Sequence, residues 1–120
     1  MNICRPLHTA LLVSDLNAAR HFYGVVLHLP EVERPLNFPG LWYQLGDYQI
    51  HLIVDESTPY GLHNPQKWGR NRHLAFAIAD IRTAKSHLEA HDWEFQSSAS
   101  GRPAIFVQDP DGNVIELLQV

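Results

Sequence analysis

The stretch His8-Thr-Ala-Leu-Leu-Val-Ser-Asp15 returns as His73-Leu-Ala-Phe-Ala-Ile-Ala-Asp80, 65 residues further along the chain. A second stretch returns at the same offset, Ile50-His51-Leu52-Ile53 becoming Ile115-Glu116-Leu117-Leu118. Laying residues 1–55 on 66–120 pairs seven identical residues: Arg5, His8, Ala10, Asp15, Ala19, Ile50 and Leu52 meet Arg70, His73, Ala75, Asp80, Ala84, Ile115 and Leu117. Average residue usage gives roughly three or four by chance, so the pattern around the identities carries more than their number. Apolar positions meet apolar positions at both ends of each half, and each His-led stretch closes on Asp followed by a branched apolar residue. The period exceeds the range of about 20–50 residues found in solenoids, which suggests one duplicated domain rather than an array.

Working outward, Ile3 to Val13 is rich in branched apolar residues and predicts a strand that runs into a helix capped by Asp15. Leu16, Ala19, Tyr23 and Val26 give that helix one apolar stripe, and Leu29-Pro30 ends it. Short strands are expected at Glu31–Arg34, Leu41–Leu45 and Tyr48–Val54, with Gly46-Asp47 as a hairpin turn. The second half repeats the order: strand Arg72–Ala79, cap Asp80, helix Ile81–His91, then strands Trp93–Gln96, Ala104–Gln108 and Val114–Gln119, with Asp109-Pro-Asp-Gly112 as a turn. Each half is βαβββ, an α+β arrangement. Module one covers 1–54, module two 72–120, and the proline- and glycine-containing segment 55–71 is expected to link them.

The 120 residues and 45% hydrophobic content suit a single domain of two half-size modules. No apolar run approaches the roughly 18 residues of a transmembrane helix, and Met-Asn-Ile-Cys-Arg-Pro lacks the layout of a signal peptide, so a cytoplasmic protein with no membrane partner is expected. Cys4, the single cysteine, excludes an internal disulfide and a thiolate metal cluster within one chain, and is expected as a semi-buried strand residue. A net charge of -4 with no basic stripe argues against nucleic acid and for a small-molecule ligand.

Side chains alternate across a strand, which puts His8 on one face with Ala10 and Leu12, and His73 on one face with Ala75 and Ala77. His51 and Glu116 occupy equivalent points on the closing strands. A glutamate set among Val114, Ile115, Leu117 and Leu118 is costly to bury unless it is paired or coordinates a cation. His8, His51, His73 and Glu116 together form a donor set suited to a divalent ion of zinc, nickel, cobalt, manganese or iron, with positions left for water or substrate.

Several segments carry a family resemblance: His8…Val13-Ser-Asp-Leu16, Ala19-Arg-His-Phe-Tyr-Gly24, Phe38-Pro-Gly-Leu-Trp-Tyr43 and, most specific, Phe106-Val-Gln-Asp-Pro-Asp-Gly-Asn-Val-Ile-Glu116. Over nearly the whole chain the sequence resembles the vicinal oxygen chelate (VOC) superfamily of glyoxalase I, fosfomycin-resistance proteins, extradiol dioxygenases and bleomycin-resistance proteins. The resemblance implies paired βαβββ modules forming a cupped mixed sheet around a metal, with ligands at His8, His51, His73 and Glu116. It also implies a homodimer, in which His8 and His51 would meet His73 and Glu116 of the partner if modules are exchanged. Glyoxalase I-like (lactoylglutathione lyase-like) enzymes carry Glu or Gln at the position of His51, so here Glu116 alone is the expected catalytic acid/base. Metal-assisted proton transfer on a small carbonyl or thiohemiacetal substrate is the expected reaction. The alternatives are Fe(II) extradiol cleavage, thiol transfer of the fosfomycin-resistance type, and a dimeric sequestering protein of the bleomycin-resistance type.

Around that set, Trp42, Tyr43, Phe38 and Trp68 are candidates to line an apolar pocket, with core packing as the alternative. Arg70 and Arg72 are candidates to hold an anionic substrate group. Trp42, Tyr43 and Arg70 are the expected substrate-binding residues. His87 and His91 stand four apart on the second helix, without a His-Glu-x-x-His context, and read as a solvated helix margin.

Overall fold

The computed structural model describes residues 1–57 and 61–120, so part of the expected linker, 58–60, lies outside the described residues. The chain divides into two compact units, Met1–Thr58 and Pro59–Val120. Unit one contains β1 (His8–Val13), α1 (Leu16–Arg20), a π-type turn (His21–Val26), β2 (Glu31–Val32), β3 (Gly40–Leu45) and β4 (Tyr48–Val54). Unit two contains a short 3-10 helix (Trp68–Arg70), then β5 (His73–Ile78), α2 (Ile81–Ala90), β6 (Gln96–Ser97), β7 (Ala104–Gln108) and β8 (Val114–Gln119). Each unit is βαβββ, as expected, and each forms a four-stranded mixed sheet, ordered β1-β4-β3-β2 in one and β5-β8-β7-β6 in the other. The first strand of each unit pairs parallel to the last, and the remaining pairs are antiparallel.

Strand alternation divides the two faces of each sheet. Leu41 and Tyr43 of β3 stand opposite Leu52 and Ile50 of β4, all four buried with Phe22, Tyr23 and Val26 of the π-type turn. Ile105 and Val107 of β7 likewise stand opposite Leu117 and Ile115 of β8. The opposite faces carry Trp42 beside His51, and Phe106 beside Glu116. The register repeats: Ala10 faces His51, and Ala75 faces Glu116.

Both helices start at their expected caps. The Asp15 carboxylate accepts from the Ala18 N–H at 2.8 Å, and that of Asp80 from the Arg82 N–H at 2.9 Å, satisfying backbone donors that a first helical turn leaves without partners. The α-helical part of the first helix ends at Arg20. The chain continues with wider winding, the Leu27 N–H donating to the Phe22 carbonyl at 2.9 Å. Tyr23 and Val26 point inward as the stripe predicts, and Phe22, which the stripe did not include, is buried with them.

Other boundaries differ from the sequence reading for equally local reasons. The first strand begins at His8 rather than Ile3: its partner β4 begins at Tyr48, and the ladder starts with His8 opposite Gln49. Cys4 is consequently exposed, not semi-buried. The strand expected at Glu31–Arg34 spans only Glu31–Val32. The one expected at Trp93–Gln96 is displaced to Gln96–Ser97, with the Trp93 indole N–H donating instead to the Gln108 carbonyl at 2.9 Å. In the Asp-Pro-Asp-Gly-Asn turn the buried Asp109 carboxylate accepts the N–H groups of Asp111 and Asn113 and the Asn113 side-chain amide. Gly112 takes the left-handed φ of 84° that closes the loop.

Residues from 61 onward, expected as linker, pack within unit two. Asn71 binds this segment back on itself: its amide donates to the carbonyls of Asn64 and Trp68 at 2.8 and 3.0 Å, and its Oδ1 accepts from the Asn64 N–H. The segment lies over Phe106, so closely that a Cβ on Gly69 would come within 2.6 Å of the ring. Among the described residues, no helix is long and apolar enough to cross a membrane.

Candidate metal centre and substrate face

In unit one, the β1–β4 register places His8 opposite Gln49 and therefore diagonal to His51, on the same face. The His51 ring lies between two others: the His8 imidazole stacks on it with centroids 4.0 Å apart and planes 14° apart, and the Trp42 indole at 4.0 Å and 5°. The His51 Nε2–H donates to the Gln49 side-chain oxygen at 2.8 Å, Gln49 donates to Gln44 at 2.7 Å, and Gln44 to the Gly46 carbonyl at 2.6 Å. Burial, and then the neighbouring His8 and the Arg34 guanidinium, hold the His51 imidazole below its ordinary pKa. The stack favours a neutral ring.

Unit two has the same register and different chemistry. His73 Nδ1–H donates to the Asn71 carbonyl at 2.8 Å, and Nε2 lies 3.1 Å from Glu116 Oε2. The other oxygen, Oε1, accepts from the Arg102 guanidinium at 2.7 Å. The Glu116 side chain is only 7% exposed while that of Arg102 is 54% exposed, so the pair joins a buried carboxylate to a surface cation. The Phe106 ring meets His73 edge-on at 5.5 Å and 84°.

These residues fit a divalent ion unequally. Two donors each about 2.1 Å from one ion, at right angles, stand ~3.0 Å apart, close to the 3.1 Å between His73 and Glu116. A carbonyl on the far ring nitrogen is the usual companion of a metal-binding imidazole. His8 and His51 suit such an ion in donor type, but near-parallel stacked rings direct their in-plane lone pairs side by side, so a ring must turn for both to bind one ion. Within either unit, the described residues gather no group of three or more His, Cys, Asp and Glu side chains; each contributes a pair.

The aromatic and basic candidates separate along the strand pattern. Trp42 shares the His51 face, whereas Tyr43 turns to the helix-covered face, its ring 6.1 Å from that of Tyr23. Burial pushes the Tyr43 phenol up to about 12. Phe38 is exposed beneath the Arg34 guanidinium, and the Trp68 indole N–H donates to the Pro65 carbonyl. Arg70 and Arg72 are exposed. His87 and His91 are joined at the end of α2, His91 Nδ1–H donating to the His87 carbonyl at 2.9 Å, as a helix-end contact would be. Sequence reasoning missed Asn71, Gln49 and Arg102. Asn71 lies two residues before His73, a spacing that alternation flags, whereas nothing in the local sequence joins Arg102 to Glu116.

The model for the Glyoxalase/Bleomycin resistance protein/Dioxygenase superfamily matches residues 5–117. The Escherichia coli (strain K12) protein YaeR is 30% identical over 121 residues, covering 93% of each chain. A Vibrio cholerae relative, whose name reads "Probable lactoylglutathione lyase", is 27% identical over 124 residues, 96% of this chain and 90% of that one. Among solved structures, a glyoxalase family protein from Bacillus anthracis superposes with a TM-score of 0.82 at 24% identity, covering 99% of this chain and 97% of its own. With the duplicated βαβββ topology and a family match spanning nearly its whole length, the chain belongs to the Glyoxalase/Bleomycin resistance protein/Dioxygenase superfamily.

Proposed function

We propose that the protein is a metal-dependent enzyme of the glyoxalase type, moving a proton between adjacent carbons of a small carbonyl or thiohemiacetal substrate. The observation that carries this reading is the His73–Glu116 pair, 3.1 Å apart with the far nitrogen of His73 tied to a carbonyl. The proposed donors are His8, His51, His73 and Glu116, and the proposed assembly is a homodimer. A divalent ion held by these donors supplies Lewis-acid stabilisation of the negative charge that develops on the substrate oxygen.

The protein's own groups do the rest. Glu116 would let go of the ion, accept the proton from the carbon next to the carbonyl through Oε2 and return it to the neighbouring carbon, so that one carboxylate acts as base and then acid. Arg102 occupies Oε1 and fixes the carboxylate plane. Asn71 fixes the tautomer and direction of His73. Trp42 offers an apolar surface to the substrate, and Arg70 a cation for an anionic group. The Vibrio cholerae relative's name points the same way.

The test is metal analysis of the purified protein, followed by turnover of the methylglyoxal–thiol adduct by protein loaded with nickel, zinc, cobalt, manganese or iron. Near-stoichiometric metal and metal-dependent turnover support the proposal. Protein that stays metal-free after growth in supplemented medium refutes it and favours a sequestering role.

A further inference from the structure

The turn that ends α2 alternates acidic and aromatic side chains, Asp92-Trp93-Glu94-Phe95. It opens as a Schellman-type cap: the Asp92 N–H donates to the Glu89 carbonyl at 3.0 Å and the Trp93 N–H to the Leu88 carbonyl at 2.9 Å, with Asp92 at a left-handed φ of 52°. The turn meets Trp68 of the 3-10 helix around a cavity of about 530 Å³, lined by Trp68, Trp93 and Phe95 together with Glu89, Asp92 and Glu94. That volume falls within the roughly 300–1,000 Å³ of small-molecule sites. Among the described residues, no Lys or Arg lines the cavity and none of its three carboxylates enters an ion pair.

What the cavity offers a ligand follows from where its donors go. The Trp68 indole N–H donates to the Pro65 carbonyl at 3.2 Å, and that of Trp93 to the Gln108 carbonyl at 2.9 Å. The amide of Gln96, the remaining polar side chain of the lining, is committed at both ends: its Oε1 accepts from the Trp68 backbone N–H at 2.9 Å, and its Nε2 donates to the Gln66 carbonyl at 2.8 Å. The lining is therefore rich in ring faces and carboxylate oxygens and poor in donors, which is the wrong equipment for an anion or a sugar. We infer that this cavity binds an organic cation, a quaternary ammonium group whose methyl-covered charge rests against the indole faces while the carboxylates supply the counter-charge. The attraction of a cation to a ring face is strongest for Trp, and a fully alkylated ammonium asks the site for no hydrogen bond. An adjoining cavity of about 470 Å³ shares Trp68, Asp92, Trp93 and Glu94, so these four residues are the ones that should sense the ligand. None of them is a proposed metal donor, and the inference stands independently of the proposed chemistry.

The experiment titrates choline into the full chain, followed by calorimetry and by the indole N–H resonances of the three tryptophans, on protein loaded with metal and on protein stripped by chelator. The Trp68 and Trp93 resonances should shift saturably and alike in both states, while that of Trp42 stays in place. The neutral isostere, with a quaternary carbon in place of the nitrogen, should bind about tenfold more weakly or worse. The double variant Asp92→Asn/Glu94→Gln should lose about tenfold in choline affinity. Asn tolerates the left-handed backbone at this position, and circular dichroism verifies the fold; should the double variant not fold, Glu94→Gln alone decides, with a loss of about threefold. Glu33→Gln, in unit one, should change nothing. Absence of saturable binding overturns the inference, as does equal affinity for the isostere or unchanged affinity in the carboxylate variant. A shift confined to Trp42 also overturns it, because the cation would then sit on the sheet face of unit one.

Discussion

The two units share one backbone plan and use it for opposite electrostatics. In unit one, the central side chain of the sheet face is an imidazole clasped between His8 and Trp42, half-exposed and held below its ordinary pKa by burial and then by His8 and Arg34. In unit two, the equivalent side chain is a carboxylate between an imidazole and a guanidinium, buried beneath the segment that carries the 3-10 helix. The register that brings them there is the same, Ala10 to His51 and Ala75 to Glu116. Duplication therefore preserved geometry while the chemistry diverged, and the buried half is the one equipped to hold and direct charge.

If that division is real, substitutions in unit two should cost far more function than their counterparts in unit one. Glu116→Gln keeps the shape and an acceptor for Arg102 but removes the base; turnover of the methylglyoxal–thiol adduct should fall by about 10²–10⁴. A smaller loss than tenfold would dismiss Glu116 as the proton carrier. Next in size, His73→Ala should strip metal from the purified protein. His51→Gln, which keeps a polar group against Gln49, should weaken metal binding by about 10–100-fold. Competition with a chromogenic chelator ranks the two variants, and equal losses would mean that the stacked pair contributes as fully as the hydrogen-bonded one.

Below these effects lies the segment that covers Glu116. A methyl on Gly69 would come within 2.6 Å of the Phe106 ring, and crowding of this kind costs about 1–3 kcal/mol. Gly69→Ala should lower the unfolding free energy measured by urea titration by that amount and expose unit two's charged pair to solvent. An unchanged midpoint would show that the segment can shift at little cost.

How far the sequence foretold this division depends on which interactions are periodic. The βαβββ order, both helix caps and the placement of His51 and Glu116 follow from strand alternation, capping chemistry and a repeat of fixed offset, all local quantities. The offset itself, however, holds only for part of each unit. Trp42 pairs with His51 and Phe106 with Glu116, so on β3 and β7 the equivalent residues are 64 apart rather than 65. The Asp109–Asn113 turn is one residue longer than its counterpart in unit one, so a rigid alignment paired the wrong residues across these strands. Arg102 and the packing of 61–71 were out of reach for another reason: both depend on contacts between segments distant in sequence, and neither has a spacing that announces it.

The corrected equivalence exposes the smallest difference between the units. Tyr43 falls opposite Ile50 as Val107 falls opposite Ile115, so one core holds a phenol where the other holds an isopropyl group. Among the described residues, the Tyr43 hydroxyl is buried without a hydrogen-bond partner, and a buried polar atom in that condition costs free energy. Tyr43→Phe removes only that atom, so at neutral pH the unfolding free energy from urea titration should stay level or rise by less than about 1 kcal/mol. The same burial raises the phenol from 10.0 to about 12. A folded-state pKa above the unfolded one adds stability that is fully present below the unfolded value and is lost as pH rises through the folded one. The native protein should therefore lose stability between pH 10.0 and about 12, a decline that Tyr43→Phe lacks. Parallel alkaline declines in the two proteins would mean that Tyr43 ionises within the fold without resistance, and the contrast between the cores would then be one of volume alone.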